Sequence, residues 1–182
     1  MIRLALVLGA LAGPAAAGCF AADGMPVTAT YDSGLLLEYI ARDGDVLTYR
    51  AQGLTSRMKD GLWPLDYESG GQRTEYLWDG DLPDLAAVIA AGGKARAEGK
   101  MKPITGSTVP VVAEVEILGE QSIDWEDCRY RAVEIRKVIR ADGKVMSDGV
   151  LLYAPDAMIS FRSSSTNPET GTVRTLTLKE LE

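Results

Sequence analysis

The sequence predicts a mainly β chain: a single strongly curved antiparallel sheet, a half-barrel or partly closed barrel, of about nine or ten strands with one short helix. Three observations point there. Short apolar or alternating runs recur along the chain. Asp-Gly and Gly-Gly pairs separate them, and such pairs between β-prone runs are strong hairpin signals. Only one stretch carries the marks of a helix.

The runs can be taken in order. Residues 27–31 (VTATY) end at Asp32-Ser33-Gly34. Residues 35–41 (LLLEYIA) and 46–51 (VLTYRA) flank Arg42-Asp43-Gly44-Asp45, a hairpin turn. Gly70-Gly71 joins 65–68 to 73–78. Leu82-Pro83-Asp84 then introduces 85–91 (LAAVIAA), which is Ala-rich, has a cap residue in Asp84 and stops at Gly92-Gly93, so a helix of about two turns is expected. Residues 94–102 read as a strand after that break. Residues 111–118 alternate Glu114 and Glu116 with Val115 and Ile117, as suits a strand with one wet face. Ala141-Asp142-Gly143-Lys144 joins 130–140 to 145–153, and residues 166–171 join 158–162 to 172–178. Closing the sheet, or covering it with the helix, would hide its edges and its apolar face.

The first seventeen residues read as an export leader. Arg3 supplies positive charge, residues 4–12 (LALVLGALA) form the apolar region, Gly13-Pro14 breaks it, and Ala15-Ala16-Ala17 offers small residues for cleavage. The apolar run is too short to cross a hydrocarbon core, which needs about 20 residues. Cleavage after Ala17 leaves residues 18–182 as one antiparallel β domain. No later run is long and apolar enough for a transmembrane helix, and the leader's style places the protein in a bacterial periplasm.

Cys19 and Cys128 are the only cysteines. In an oxidising compartment they are expected to form a disulfide. The alternative is a lipid anchor at Cys19, because Ala16-Ala17-Gly18-Cys19 resembles a bacterial lipobox, although Ala16 stands where that pattern has Leu or a similar branched residue.

Composition excludes several functions. The chain carries 19 Lys and Arg against 26 Asp and Glu, a formal charge of −7, and its sequence pI is about 4.7. Nucleic acid is therefore not an expected partner, since phosphate binding needs a basic surface. There is no histidine. That removes Ser-His-Asp and Cys-His catalysis and His-ligated zinc. No catalytic residue and no cofactor is assigned.

The last third carries a resemblance. Residues 117–123 (ILGEQSI), 125–135 (WEDCRYRAVEI) and 153–159 (YAPDAMI) give a strand carrying Gly119-Glu120, a short loop, a Cys-containing strand and a Tyr-x-Pro turn. This resembles periplasmic β-sheet proteins of unknown function related to the lipoprotein-carrier (LolA/LolB-like) half-barrels, over about residues 85–180. The resemblance implies a curved antiparallel sheet cupping a short helix, and no catalytic residues.

The remaining candidates have ordinary readings beside the functional ones. Asp79, Asp81 and Asp84 place three carboxylates within six residues, a weak calcium pattern. They lack the rest of a calcium loop, and Asp84 serves as a helix cap. Asp124-Trp125-Glu126-Asp127 offers paired carboxylates for acid–base work, or simply a solvated loop. The aromatics, including Tyr31, Tyr39, Tyr49 and Tyr67, lie mostly on strand-like runs, where they serve as cross-strand packing or as the wall of an apolar cavity. The wall expected for such a cavity comprises Leu35, Leu37, Trp63, Tyr76, Trp78, Val150, Leu152 and Tyr153.

The expected function is that of an exported non-enzymatic protein binding an apolar small molecule or lipid, or a cell-envelope protein. The alternatives are an interaction module docking through a sheet edge, and a calcium-dependent or carboxylate-based hydrolase.

Overall fold

In the computed structural model, residues 19–20 and 24–182 are described. The expected leader and its cleavage point at residues 1–17 lie outside the described residues. Twelve strands alternate with tight turns: β1 (Thr28–Tyr31), β2 (Leu36–Asp43), β3 (Val46–Ala51), β4 (Leu54–Lys59), β5 (Trp63–Ser69) and β6 (Gln72–Trp78) precede the single helix α1 (Leu85–Ala90). Then follow β7 (Lys94–Lys102), β8 (Val109–Trp125), β9 (Cys128–Ala141), β10 (Lys144–Ala154), β11 (Ile159–Thr166) and β12 (Val173–Leu181).

Each strand pairs antiparallel with its neighbours in sequence, and β1 pairs with β12, so the sheet is a closed barrel. This corrects the expected half-barrel and the expected count of nine or ten strands. Two of the missing strand boundaries lie at Gln52-Gly53 and Asp60-Gly61, where both residues of each pair have positive φ and the chain turns within two or three residues. β8 also runs well past residue 118, because its partner β9 follows it to the hairpin at Glu126-Asp127. At the seam, Thr28 N–H donates to the Glu182 carbonyl and Glu182 N–H to the Thr28 carbonyl, both at 3.0 Å. Asp32 extends the seam: its N–H donates to the Thr177 carbonyl at 2.9 Å, and its carboxylate accepts from Thr177 N–H at 3.1 Å. Closure gives each strand two neighbours, but the β8–β9 hairpin runs past them: β7 pairs with β8 only as far as Glu116, and beyond that point β8 pairs with β9 alone among the described strands.

Strand alternation sends apolar side chains inward. On β7, Ala97, Gly99 and Met101 are buried, while Lys94, Arg96, Glu98, Lys100 and Lys102 are exposed. Outward positions on neighbouring strands form cross-strand ion pairs, including Lys94–Glu116 at 2.8 Å, Arg96–Glu114 at 2.9 Å and Arg136–Asp148 at 2.8 Å. A charged wall around an apolar interior inverts the pattern of a transmembrane barrel, whose lipid face is apolar. No helix among the described residues is long and apolar enough to cross a membrane.

The turns at 44–45, 60–62 and 155–158 share one end of the barrel with the β6–β7 connection. Helix α1 lies there. Asp84 caps it, its carboxylate accepting from the N–H groups of Ala86 at 2.8 Å and Ala87 at 3.3 Å, and the helix buries Leu85 and Ile89 against the core. Cys19 and Cys128 form a disulfide at this same end, with Cα atoms 5.5 Å apart across 109 positions of sequence. The bridge occupies the sulfur that a lipid anchor would need. Closing so long a loop stabilises a fold by up to roughly 4–5 kcal/mol in the chain-entropy account.

Gly99 lets β6 and β7 approach. A Cβ there would lie 2.3 Å from the Leu77 carbonyl oxygen and 2.8 Å from Trp78 Cα, both backbone atoms that cannot rotate away. Gly99→Ala is therefore expected to destabilise the barrel by about 2–3 kcal/mol, the cost of overpacking a rigid contact. Urea denaturation measures this; an unchanged midpoint would contradict the close approach.

Candidate functional site

The interior is filled unevenly. On the β5–β6 side the inward residues are large: Trp63 is fully buried, Tyr67 meets Tyr76 edge-on with ring centroids 5.6 Å apart, and Tyr76 stacks on Trp78 at 5.8 Å. Trp78 Nε1–H donates to the Pro64 carbonyl at 2.8 Å. Small inward residues on β7 and β8, among them Ala97, Gly99 and Ala113, make room for them.

The opposite side holds a cavity of about 230 Å³. Its wall comes from eight strands: Tyr31 of β1, Leu37 and Tyr39 of β2, Leu47 and Tyr49 of β3, Met58 of β4, Lys137 of β9, Leu151 and Tyr153 of β10, Ser160 and Ser163 of β11, and Leu176 of β12. Leu35, Gly61 and Met158 complete it from the turns. Burial grades along this wall. Leu47, Tyr153 and Met158, toward the helix end, are buried; Leu35, Tyr49, Ser163 and Leu176, toward the opposite turns, are partly accessible. The cavity therefore opens at the end away from α1, and its floor lies at the turns holding Gly61 and Met158.

Gly61 and Tyr153 build that floor together. Gly61 has φ +63°, and a Cβ there would sit 2.4 Å from the Tyr153 hydroxyl. With no side chain in the way, Tyr153 O–H donates to the Asp60 carbonyl at 2.6 Å. Tyr31 O–H likewise donates to the Ser160 carbonyl at 2.8 Å. Burial pushes the phenols of Tyr31, Tyr39, Tyr49 and Tyr153 up from their ordinary values, so they stay neutral at any physiological pH.

Among the described residues, Lys137 is the one charged side chain lining this cavity. It occupies an inward position of β9, in the series Val133, Ile135, Lys137, Ile139, Ala141, where its four companions are buried and apolar. Its Nζ donates to the Leu62 carbonyl at 3.2 Å. No carboxylate pairs with it among the described residues. Desolvation pushes its pKa down to about 8.

Of the wall expected from sequence, Leu35, Leu37 and Tyr153 lie on the cavity. Trp63, Tyr76 and Trp78 belong to the packed side, and Val150 and Leu152 alternate with Leu151 and Tyr153 along β10 and do not line the cavity. Lys137, Leu151, Met58 and Leu176 were not singled out by sequence. Lys137 had a legible signal: in 133–141 (VEIRKVIRA) the alternation that makes Val133, Ile135, Ile139 and Ala141 one face puts a lysine on that face as well.

The acidic candidates are spread over the surface. Asp84 caps α1. Asp124 forms a two-pronged pair with Arg129 beside the β8–β9 turn, at 2.7 and 3.1 Å, and that hydrogen-bonded guanidinium holds its carboxyl below the usual range. Among the described residues no three Asp, Glu, Cys or His side chains are grouped as metal ligands. A second concavity of about 380 Å³ on the outer wall is lined by Lys94, Arg96, Glu114, Glu116, Arg136 and Arg140, and ion pairs engage each of them. Exposed pairs of this kind contribute little individually.

Fold and site together define a closed twelve-stranded antiparallel barrel with a one-ended apolar cavity. The chain is similar to a hypothetical lipoprotein, YmcC, from Escherichia coli (K12), known from its crystal structure: 6% of residues are identical, the likeness covers 87% of this chain and 89% of that one, and the TM-score is 0.47. No family model matches the chain, and no curated protein matches it.

The buried ammonium has a consequence for stability. Lys137 holds its proton less tightly in the folded barrel than in the unfolded chain. Between about pH 8 and the ordinary lysine value of 10.5 the unfolded state binds more protons, so stability rises with pH across that window. Lys137→Met is expected to gain on the order of 2–3 kcal/mol relative to the wild type at pH 7 compared with its standing at pH 10. Urea melts of both proteins at the two pH values test this, the tyrosines being common to both. A Met-minus-Lys difference that does not change with pH would contradict a desolvated ammonium.

Proposed function

We propose that the chain is an exported, non-enzymatic protein whose mature form, residues 18–182, works in the periplasm as one β domain and binds an apolar ligand inside the barrel. The cavity carries this reading. A packed barrel of this size needs no void, and an empty apolar space forfeits dispersion contacts on every wall. Here the void is bounded by leucine, methionine and tyrosine side chains and opens at a single end, the form that small-molecule sites take. Its phenols are neutral, and three of its hydroxyls, those of Tyr31, Tyr153 and Ser160, are already engaged with backbone carbonyls, so the wall offers contact area in preference to reactive groups. The disulfide supports an oxidising compartment, and the charged outer wall supports a barrel surrounded by water.

Leu151 lies midway along the cavity wall. Leu151→Trp is expected to fill the space without adding charge. Titration with the neutral fluorescent probe N-phenyl-1-naphthylamine should give saturable binding to the wild type and at least a roughly tenfold loss in the Trp variant. Equal binding by the two proteins would place the probe elsewhere and overturn the reading.

A further inference from the structure

The interior of a small barrel is an expensive place for an ammonium group. Lysines almost never sit at such positions unless paired, and Lys137 is surrounded by side chains that carry no negative charge. The titratable groups lining the same cavity are Tyr31, Tyr39, Tyr49 and Tyr153, all held neutral. Of three ammonium donors, one is used, on the Leu62 carbonyl. That carbonyl belongs to the 60–62 turn, next to Gly61 on the cavity floor, so the ammonium is directed toward the inner end and away from the mouth. A methionine at position 137 would satisfy the apolar wall at no electrostatic cost. The lysine stands as half of an ion pair whose other half no described residue supplies.

We propose that the missing half comes with the ligand, and that the barrel takes a single-chain monocarboxylate, with its carboxylate on Lys137 Nζ and its hydrocarbon chain running past Leu151 and Leu37 toward Leu35 and Leu176 at the mouth. This rests on the apolar-ligand reading and adds the head group to it. The size of the cavity, about 230 Å³, lies below the ~300–1,000 Å³ typical of sites for drug-sized molecules, which fits one chain of medium length and excludes a two-chain lipid held whole. One cation matches one negative charge. The hydroxyl of Tyr39, which has no hydrogen-bond partner among the described residues, lines the same space and offers a second donor for the head group.

Competition against N-phenyl-1-naphthylamine at pH 7 separates the two claims. Decanoate is compared with 1-decanol on the wild type, on Lys137→Met and on Lys137→Arg, each confirmed folded by circular dichroism. A charge-assisted hydrogen bond in a dry site predicts that decanoate displaces the probe from the wild type at a concentration roughly tenfold or more below that of decanol. Lys137→Met should erase that preference, decanoate and decanol then displacing the probe at comparable concentrations, and Lys137→Arg should keep part of it. Equal displacement by decanoate and decanol on the wild type, or a preference that survives Lys137→Met, overturns the head-group assignment and leaves apolar binding standing. Failure of the probe and of both decyl compounds to bind the wild type overturns the apolar-ligand reading itself.

Discussion

The pairing of β1 with β12 is the constraint on which the rest of the molecule depends. Those two strands join the ends of the described chain through the reciprocal bonds of Thr28 with Glu182, and Asp32 extends the join by one more rung. Without that seam the sheet would expose two rows of backbone groups and unwrap its apolar face. With it, every strand has two neighbours, and the interior becomes a space of fixed perimeter. Side chains then either fill that perimeter or leave a void, because the wall cannot collapse inward as a loop or a helix could.

The chain resolves this unequally on its two sides. Trp63, Tyr67, Tyr76 and Trp78 fill the β5–β6 side, with Ala and Gly residues on β7 and β8 as their counterpart. On the side formed by β1 to β4 and β9 to β12 the residues around the void are leucines, tyrosines, Met58, two serines and one lysine, and they leave a space between them. Helix α1 lies at one end of the barrel with the disulfide and the inward-tucked 60–62 turn, so the cavity has a floor and a mouth. The geometry that stabilises the fold is thus also what shapes the site: the same closure that joins the first strand to the last prevents the void from being squeezed out.

Much of the fold was legible in the sequence because its signals are local. The Asp-Gly turns at 142–143, the Gly-Gly turn at 70–71 and the Asp84 cap each fix their structure within a few residues, and each stands where the sequence puts it. Closure was not legible, since it depends on whether residues 28–31 meet residues 178–181, a contact across the whole chain with no local signature. Gln52-Gly53 and Asp60-Gly61 carry a weaker signal, because a polar residue at positive φ is less conspicuous than a glycine pair, and the expected strand count falls short at these two turns. The cavity was half legible. Leu35, Leu37 and Tyr153 lie on it, yet aromatic content alone could not distinguish Trp63, Tyr76 and Trp78, which pack, from Tyr31, Tyr39 and Tyr49, which line the void. The difference lies in what faces each ring across the barrel, and that follows from strand order. Lys137 was hidden for another reason: a lysine among Glu134, Arg136 and Arg140 reads as part of a charged strand until the parity of the strand is fixed.

The most direct test of a ligand site inside the barrel is spatial. Protein labelled at the leucine methyl groups, with decanoate added, should show intermolecular nuclear Overhauser effects from the chain protons to Leu37, Leu151 and Leu176, and none to the outward-facing Leu36, Leu54 and Leu77. Contacts confined to those outer leucines, or no contacts at all at saturating decanoate, would contradict the account.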